Sequence, residues 1–186
     1  MTIHQVDLDS LGLRLGDARQ LTGQIEPEQV ELGGQTYGAK PPETEFRLDI
    51  SRTTTGFAMR LRFEVGLAGP CFRCLEPALT LINVDVREVD QPAAAIPTRG
   101  PLAEEEEEEL ASAAELESPY VDDGVLDVAA WIRDALILAL PNQIVCREDC
   151  AGLCQYCGET LNGAEPGAHD HGENLDPRWA KLRDIS

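Results

Sequence analysis

The chain has 186 residues, 42% of them hydrophobic, enough for one packed domain of ordinary size with an appendage. Its formal charge of −19, from 34 acidic against 15 basic side chains, is uneven, with net −5 over residues 1–90 and net −14 over 91–186. A field of that sign repels phosphate at long range, so contact with nucleic acid requires a local basic face or a basic protein as intermediary. Met1 to Asp7 show no basic leader followed by an apolar stretch. The longest apolar stretch, Val125 to Leu140, carries Asp127, Arg133 and Asp134 and is too short to cross a bilayer. These features predict a cytoplasmic protein without a membrane span.

The first region, residues 1–90, reads as strands. Val6 to Leu15 and Gln29 to Tyr37 predict edge strands with weak patterns. Phe46, Leu48 and Ile50 alternate with Glu45, Arg47 and Asp49, and Met59, Leu61, Phe63, Val65 and Leu67 alternate with Arg60, Arg62, Glu64 and Gly66. That period of two is the mark of a half-buried strand. Ile82, Val84 and Val86 complete an antiparallel set, with Thr53 to Gly56 as the first turn and Gly69 to Pro77 as the second. Residues 91–124 change to Pro, Ala and Glu, with six consecutive glutamates from Glu104 to Glu109, and predict an acidic disordered linker. In the last region, 125–186, Asp127 caps a helix that Pro141 stops after Leu140, with Trp131 in the core; a cysteine-rich loop follows. Asp176 to Leu182 reads as a short terminal helix carrying Arg178 and Lys181, with Arg183 just beyond it. The fold class expected is α+β: an antiparallel sheet packed by one buried helix, with a stapled C-terminal loop region.

Six cysteines without an export signal point to metal or redox chemistry rather than structural disulfides. Cys71 and Cys74 lie in a strand-to-strand turn, Cys146 and Cys150 follow the helix, Cys154 and Cys157 come next, and His169 and His171 stand eleven residues or more further on. Zinc takes four tetrahedral donors, usually as two pairs from separate pieces of chain. The pairing expected is Cys71 and Cys74 with Cys146 and Cys150 for one ion, and Cys154 and Cys157 with His169 and His171 for a second. Four alternatives stay open at this stage: a redox pair at Cys71 and Cys74, plain buried thiols at those two positions, one ion held by Cys146, Cys150, Cys154 and Cys157, and histidines that are plain loop residues. The spacing Cys150-x3-Cys154-x2-Cys157 also matches a radical S-adenosylmethionine signature, but the 29 residues after Cys157 cannot supply the barrel that chemistry needs. There is no H-E-x-x-H, phosphate loop or nucleophile elbow. The expectation is therefore a non-enzyme with no small-molecule substrate.

Cys71-x-Arg73-Cys74-Leu75-Glu76, Leu138-Ala139-Leu140-Pro141, Cys146-Arg147-Glu148-Asp149-Cys150-Ala151-Gly152-Leu153-Cys154-x-x-Cys157-Gly158, Leu161-Asn162 and Asp176-Pro177-Arg178 together resemble the YceD family, the large ribosomal RNA subunit accumulation proteins, over roughly residues 40–186. The resemblance implies a bacterial protein, with plastid relatives, needed for normal accumulation of 23S ribosomal RNA. Many relatives carry Cys-x-Cys where this chain has His169-x-His171, an exchange that keeps four donors and removes two negative charges. Two ways of acting are expected. A zinc-pinned sheet presents Arg60, Arg62 and Arg73 to large-subunit RNA or to a basic large-subunit protein; alternatively the acidic segment from Glu104 to Glu117 acts as an adaptor or holdase for such a protein.

Overall fold

The computed structural model describes residues 3–91, 116–165, 167–169 and 171. Its centre is the strand with the cleanest alternation. Strand β6 (Phe57–Pro70) lies between β5 (Thr44–Arg52) on one edge and β7 (Pro77–Asp90) on the other, all antiparallel. Register places Phe46, Phe63 and Val84 side by side, then Leu48, Leu61 and Val86, so the apolar sets of three strands share one face. Strand β2 (Ala18–Ile25) extends the sheet beyond β5. The hairpin of β3 (Val30–Leu32) and β4 (Gln35–Ala39) joins β6 further along, beside Leu67 and Ala68.

A second, three-stranded sheet combines β1 (Gln5–Asp7), β9 (Val125–Asp127) and β8 (Val121–Asp122). Helix α1 (Val128–Ala139) follows, capped at Asp127, whose Oδ1 accepts the Ala130 N–H at 2.9 Å. The β1 segment adds to this start, because the His4 carbonyl accepts the N–H of Val128 at 2.9 Å. Trp131, Ile132, Ala135 and Leu136 are buried and join the apolar face of the large sheet in one core. No helix among the described residues is long and apolar enough to cross a membrane.

The α+β class, the central antiparallel set and the buried helix agree with the sequence reading. Four details differ. The stretch from Val6 to Leu15 is a strand only as far as Asp7, followed by a 3-10 turn at Asp9–Leu11. Gln29 to Tyr37 is a hairpin turning at Gly33 and Gly34, where φ is 59° and 78°, rather than one strand. Strand β2 had no expected counterpart, since Gly23 stands where an apolar side chain would mark its period. Residues 116–124, which composition assigned to the linker, are structured. From Leu116 the chain is part of the fold: the Gln91 N–H donates to the Leu116 carbonyl at 2.9 Å, Ser118 is buried, and β8 pairs β9. The glutamate run at 104–109 and the terminal segment 176–183 lie outside the described residues.

Candidate metal centres

Pro70 and Pro77 pair across the ends of β6 and β7, and the six residues between them form a tight knuckle. The Cys71 N–H donates to the Glu76 carbonyl at 2.7 Å and the Leu75 N–H to the Cys71 carbonyl at 3.0 Å. The same construction recurs downstream. Leu153 and Thr160 form a bridge, the Cys154 N–H donates to the Glu159 carbonyl at 2.8 Å, and the Gly158 N–H donates to the Cys154 carbonyl at 2.9 Å. In both knuckles the residue after the second cysteine is left-handed, Leu75 at φ 63° and Gly158 at φ 75°. That turn directs both thiols of a Cys-x-x-Cys to one side of the hairpin.

Pro141 ends the helix, and the chain then returns across the first knuckle. Ile144 is buried, and its carbonyl accepts the Phe72 N–H at 2.8 Å. This contact brings Cys146 and Cys150 to the knuckle thiols, with Cys71 Sγ 3.8 Å from Cys150 Sγ and Cys74 Sγ 3.6 Å from Cys146 Sγ. All four sulfurs lie within 4.8 Å of one another. Tetrahedral zinc–thiolate bonds of about 2.3 Å require sulfur–sulfur edges of about 3.8 Å, so the set fits such an ion. Three of its members, Cys71, Cys74 and Cys150, are buried.

The second set consists of Cys154, Cys157, His169 and His171, also within 4.8 Å. His171 Nε2 stands 3.1 Å from Cys154 Sγ and His169 Nδ1 stands 3.4 Å from Cys157 Sγ. A mixed sulfur–nitrogen edge around zinc is about 3.5 Å, so this set fits as well. It is the more open of the two: Cys157 is exposed, and Tyr156, 57% exposed, packs its ring 5.5 Å from that of His171.

Electrostatics argue in the same direction. Burial disfavours the Cys71 thiolate, but backbone N–H groups of Cys74, Cys146 and Arg73 outweigh it and bring that thiol down to about 6. Burial, then the neighbouring thiols, push Cys146 up to about 12, and burial raises Cys74 too. Four thiols packed this closely, three of them buried, cannot all ionise together without a cation among them. In the second set the N–H groups of Cys157 and Tyr156 bring Cys154 down to about 6. The donor sets thus suit a divalent ion, and their composition is compatible with zinc.

Asn162, just past the second knuckle, reaches back to the first centre, a role that no reading of the cysteine spacing supplied. Its Oδ1 accepts the Ala151 N–H at 2.9 Å and its Nδ2 points at Cys150 Sγ at 3.7 Å. The only hint in the sequence was its place in the Leu161-Asn162 motif. Arg73 also belongs to this scaffold, because its Nη1 donates to the Cys150 carbonyl at 3.1 Å.

The expected arginine surface does not assemble. Arg60 holds Asp85 through two hydrogen bonds, the Nε one at 2.7 Å, and Arg62 pairs with Asp49. Gln20, then Arg62, keep the Asp49 carboxyl below its ordinary range, and Arg60 does the same for Asp85. Positive and negative side chains therefore alternate across this face. Arg73 stands beyond the far end of β6, and the eight steps from Arg62 to Pro70 alone span about 26 Å of extended strand. The three side chains do not form one patch.

A β-sheet with two matching cysteine knuckles, each completed by a second donor pair, is the class of protein that fold and sites define. The family model described as large ribosomal RNA subunit accumulation protein YceD matches residues 59–186. The chain belongs to the YceD family. It is 40% identical over 180 residues to uncharacterized proteins of Mycobacterium tuberculosis and Mycobacterium bovis, covering 95% of this chain and 78% of theirs. It is 27% identical over 175 residues to a Zea mays protein named large ribosomal RNA subunit accumulation protein YCED homolog 1, chloroplastic, covering 83% of this chain and 59% of that one. No solved structure matches.

Proposed function

We propose that this chain is a cytoplasmic, non-catalytic factor in large ribosomal subunit assembly, supporting the accumulation of 23S ribosomal RNA by holding that RNA or a basic large-subunit protein. In this reading Cys71, Cys74, Cys146 and Cys150 bind one zinc ion, and Cys154, Cys157, His169 and His171 bind a second. The observation that carries it is the make-up of the two donor sets in a member of a family described by large-subunit RNA accumulation. A catalytic zinc keeps an open position for water or substrate beside three protein donors. Here four side-chain donors converge at each centre, the arrangement of a structural ion, and the first set ties the β6–β7 turn to the segment after the helix.

The test is genetic and biochemical together. Removal of the gene is expected to lower the ratio of 23S to 16S RNA, with the parent chain restoring it and a Cys71→Ser, Cys150→Ser chain failing to do so. An unchanged ratio on removal would sink the ribosomal role. Restoration by the double variant would separate that role from the first metal centre.

A further inference from the structure

Helix α1 and the β2–β3 connection enclose a groove of about 400 Å³ that neither metal centre uses. Its floor is apolar, set by buried Ile25 and Val30 on one wall and buried Ile132 and Leu136 on the other. Ile137, 50% exposed, stands at the mouth. The rim carries Glu26, Glu28 and Glu31, all exposed, and none lies within ion-pair distance of a cation among the described residues. The one arginine of the groove, Arg133, is held by Asp134 at 2.9 Å.

This arrangement differs from the outer face of the sheet. There carboxylates and guanidinium groups neutralise each other; here three carboxylates surround an apolar cleft without a direct ion pair, Glu28 feeling Arg133 only at a distance. Such a rim rejects the phosphates of RNA. It also disfavours a second copy of a chain whose net charge is −19. An apolar cleft with unpaired charges at its rim is the geometry that seats an amphipathic peptide.

We propose that this groove docks a basic peptide segment of a partner protein. An apolar side chain of the segment sits between Val30 and Leu136, and its lysines or arginines meet Glu26, Glu28 and Glu31. The inference rests on the proposed function only in placing the partner among the basic proteins of the large subunit.

The test uses the full, metal-loaded chain and a fluorescein-labelled helical peptide of about sixteen residues, with leucines three and four apart and lysines elsewhere. Binding is followed by anisotropy at about 0.1 M salt. Saturable binding is expected, weakened about ten-fold or more by E28K/E31K and by I137E. It should stay within about two-fold in E45K/E64K, which makes the same charge change on the opposite face of the sheet. All these positions are exposed. No binding by the parent chain, or equal weakening by both charge-reversed pairs, would overturn the proposal, since general acidity would then account for any attraction. Binding of a single-stranded RNA oligonucleotide that I137E abolishes would overturn it in favour of RNA. Peptide binding that appears only in R178E/K181E/R183E would assign the groove to the chain's own C-terminal residues. Because the readout does not involve ribosomal RNA levels, loss of peptide binding leaves the ribosomal role standing, and an unchanged 23S ratio leaves the groove standing.

Discussion

Leu75 and Gly158 occupy the same position in two knuckles of the same hydrogen-bonded form, and they differ in what that position costs. A left-handed conformation costs a non-glycine residue about 1–2 kcal/mol, and Leu75 bears that cost while 55% exposed. Leu75→Gly is therefore expected to raise stability by about 0.5–1 kcal/mol, the strain relieved less the larger chain entropy glycine loses. The reverse change, Gly158→Ala, introduces strain without a clash, because nothing lies within 4 Å of the added Cβ. It should weaken metal retention at the second centre and leave the sheet intact. Urea unfolding in zinc-buffered solution measures the first effect and chelator competition the second. A fall in stability for Leu75→Gly would show that the leucine side chain contributes more than its backbone costs. Sequence reading places both knuckles from cysteine spacing, yet a leucine in the left-handed region leaves no trace in a pattern of types. The partners of Arg60 and Arg62 were equally hidden: alternation puts Asp49 and Asp85 on the same face and register sets them opposite Arg60 and Arg62, but each arginine pairs with the diagonal carboxylate instead.

At the scale of elements, legibility followed the continuity of side-chain alternation. The runs in β5 and β6 are unbroken and were found. Strand β2 was not, because Gly23 pairs opposite Phe46 and leaves a gap where an apolar side chain would have marked the period; a Cβ there would lie 2.7 Å from the Phe46 ring. The hairpin of β8 and β9 had a readable turn, Asp123-Gly124, with φ 46° and 75°. Its signal was submerged in the acidic composition around it. The helix start was legible from Asp127, and Asp127→Ala is expected to cost about 1 kcal/mol in thermal or urea unfolding through loss of the Ala130 cap. The neck of the acidic segment gives a pH-dependent prediction. Asp90 accepts the Ser118 N–H at 3.2 Å, but burial, reinforced by the Glu117 charge, raises its carboxyl above the ordinary 3.8. A carboxyl whose folded pKa is raised penalises the folded state once it is ionised, so stability at this site is lost as pH rises through that value. Asp90→Asn should thus unfold later than the parent chain at neutral pH, and the difference should vanish below about pH 3.8, where the aspartate is neutral in both states. A variant less stable at neutral pH would show that the ionised carboxylate is needed to hold Ser118.

The whole molecule is held by contacts between distant parts of the chain, among them the pairing of β1 with β9 and the donor pairs of the first centre. Cys71 and Cys150 are 79 residues apart, and Cys74 and Cys146 are 72 apart. Ordering so long a loop carries an entropy cost that grows slowly with its length, so a single ion at the first centre ties together the sheet, the helix exit and the entry to the second knuckle. The second centre closes a loop of 17 residues between Cys154 and His171, and its donors are more exposed. The grouping of donors was readable because zinc chemistry restricts which pairs can meet; the charge map was not, because pairing depends on register. Apparent zinc-binding energies of about 10–16 kcal/mol are folding energy where the apo site is not preformed. Protein prepared without a metal-binding tag is therefore expected to carry two zinc ions and to release them to excess chelator in two phases. The fast phase should come from the exposed Cys154 centre and disappear in Cys154→Ser, which keeps one ion and the parent's unfolding midpoint. The slow phase should follow global unfolding, and Cys71→Ser should lower stability by several kcal/mol rather than merely remove an ion. A single phase carrying both ions would mean that the Asn162 contact makes the two centres one cooperative unit. One ion unaffected by Cys154→Ser would confine the metal to the first centre and leave the second knuckle held by its hydrogen bonds alone.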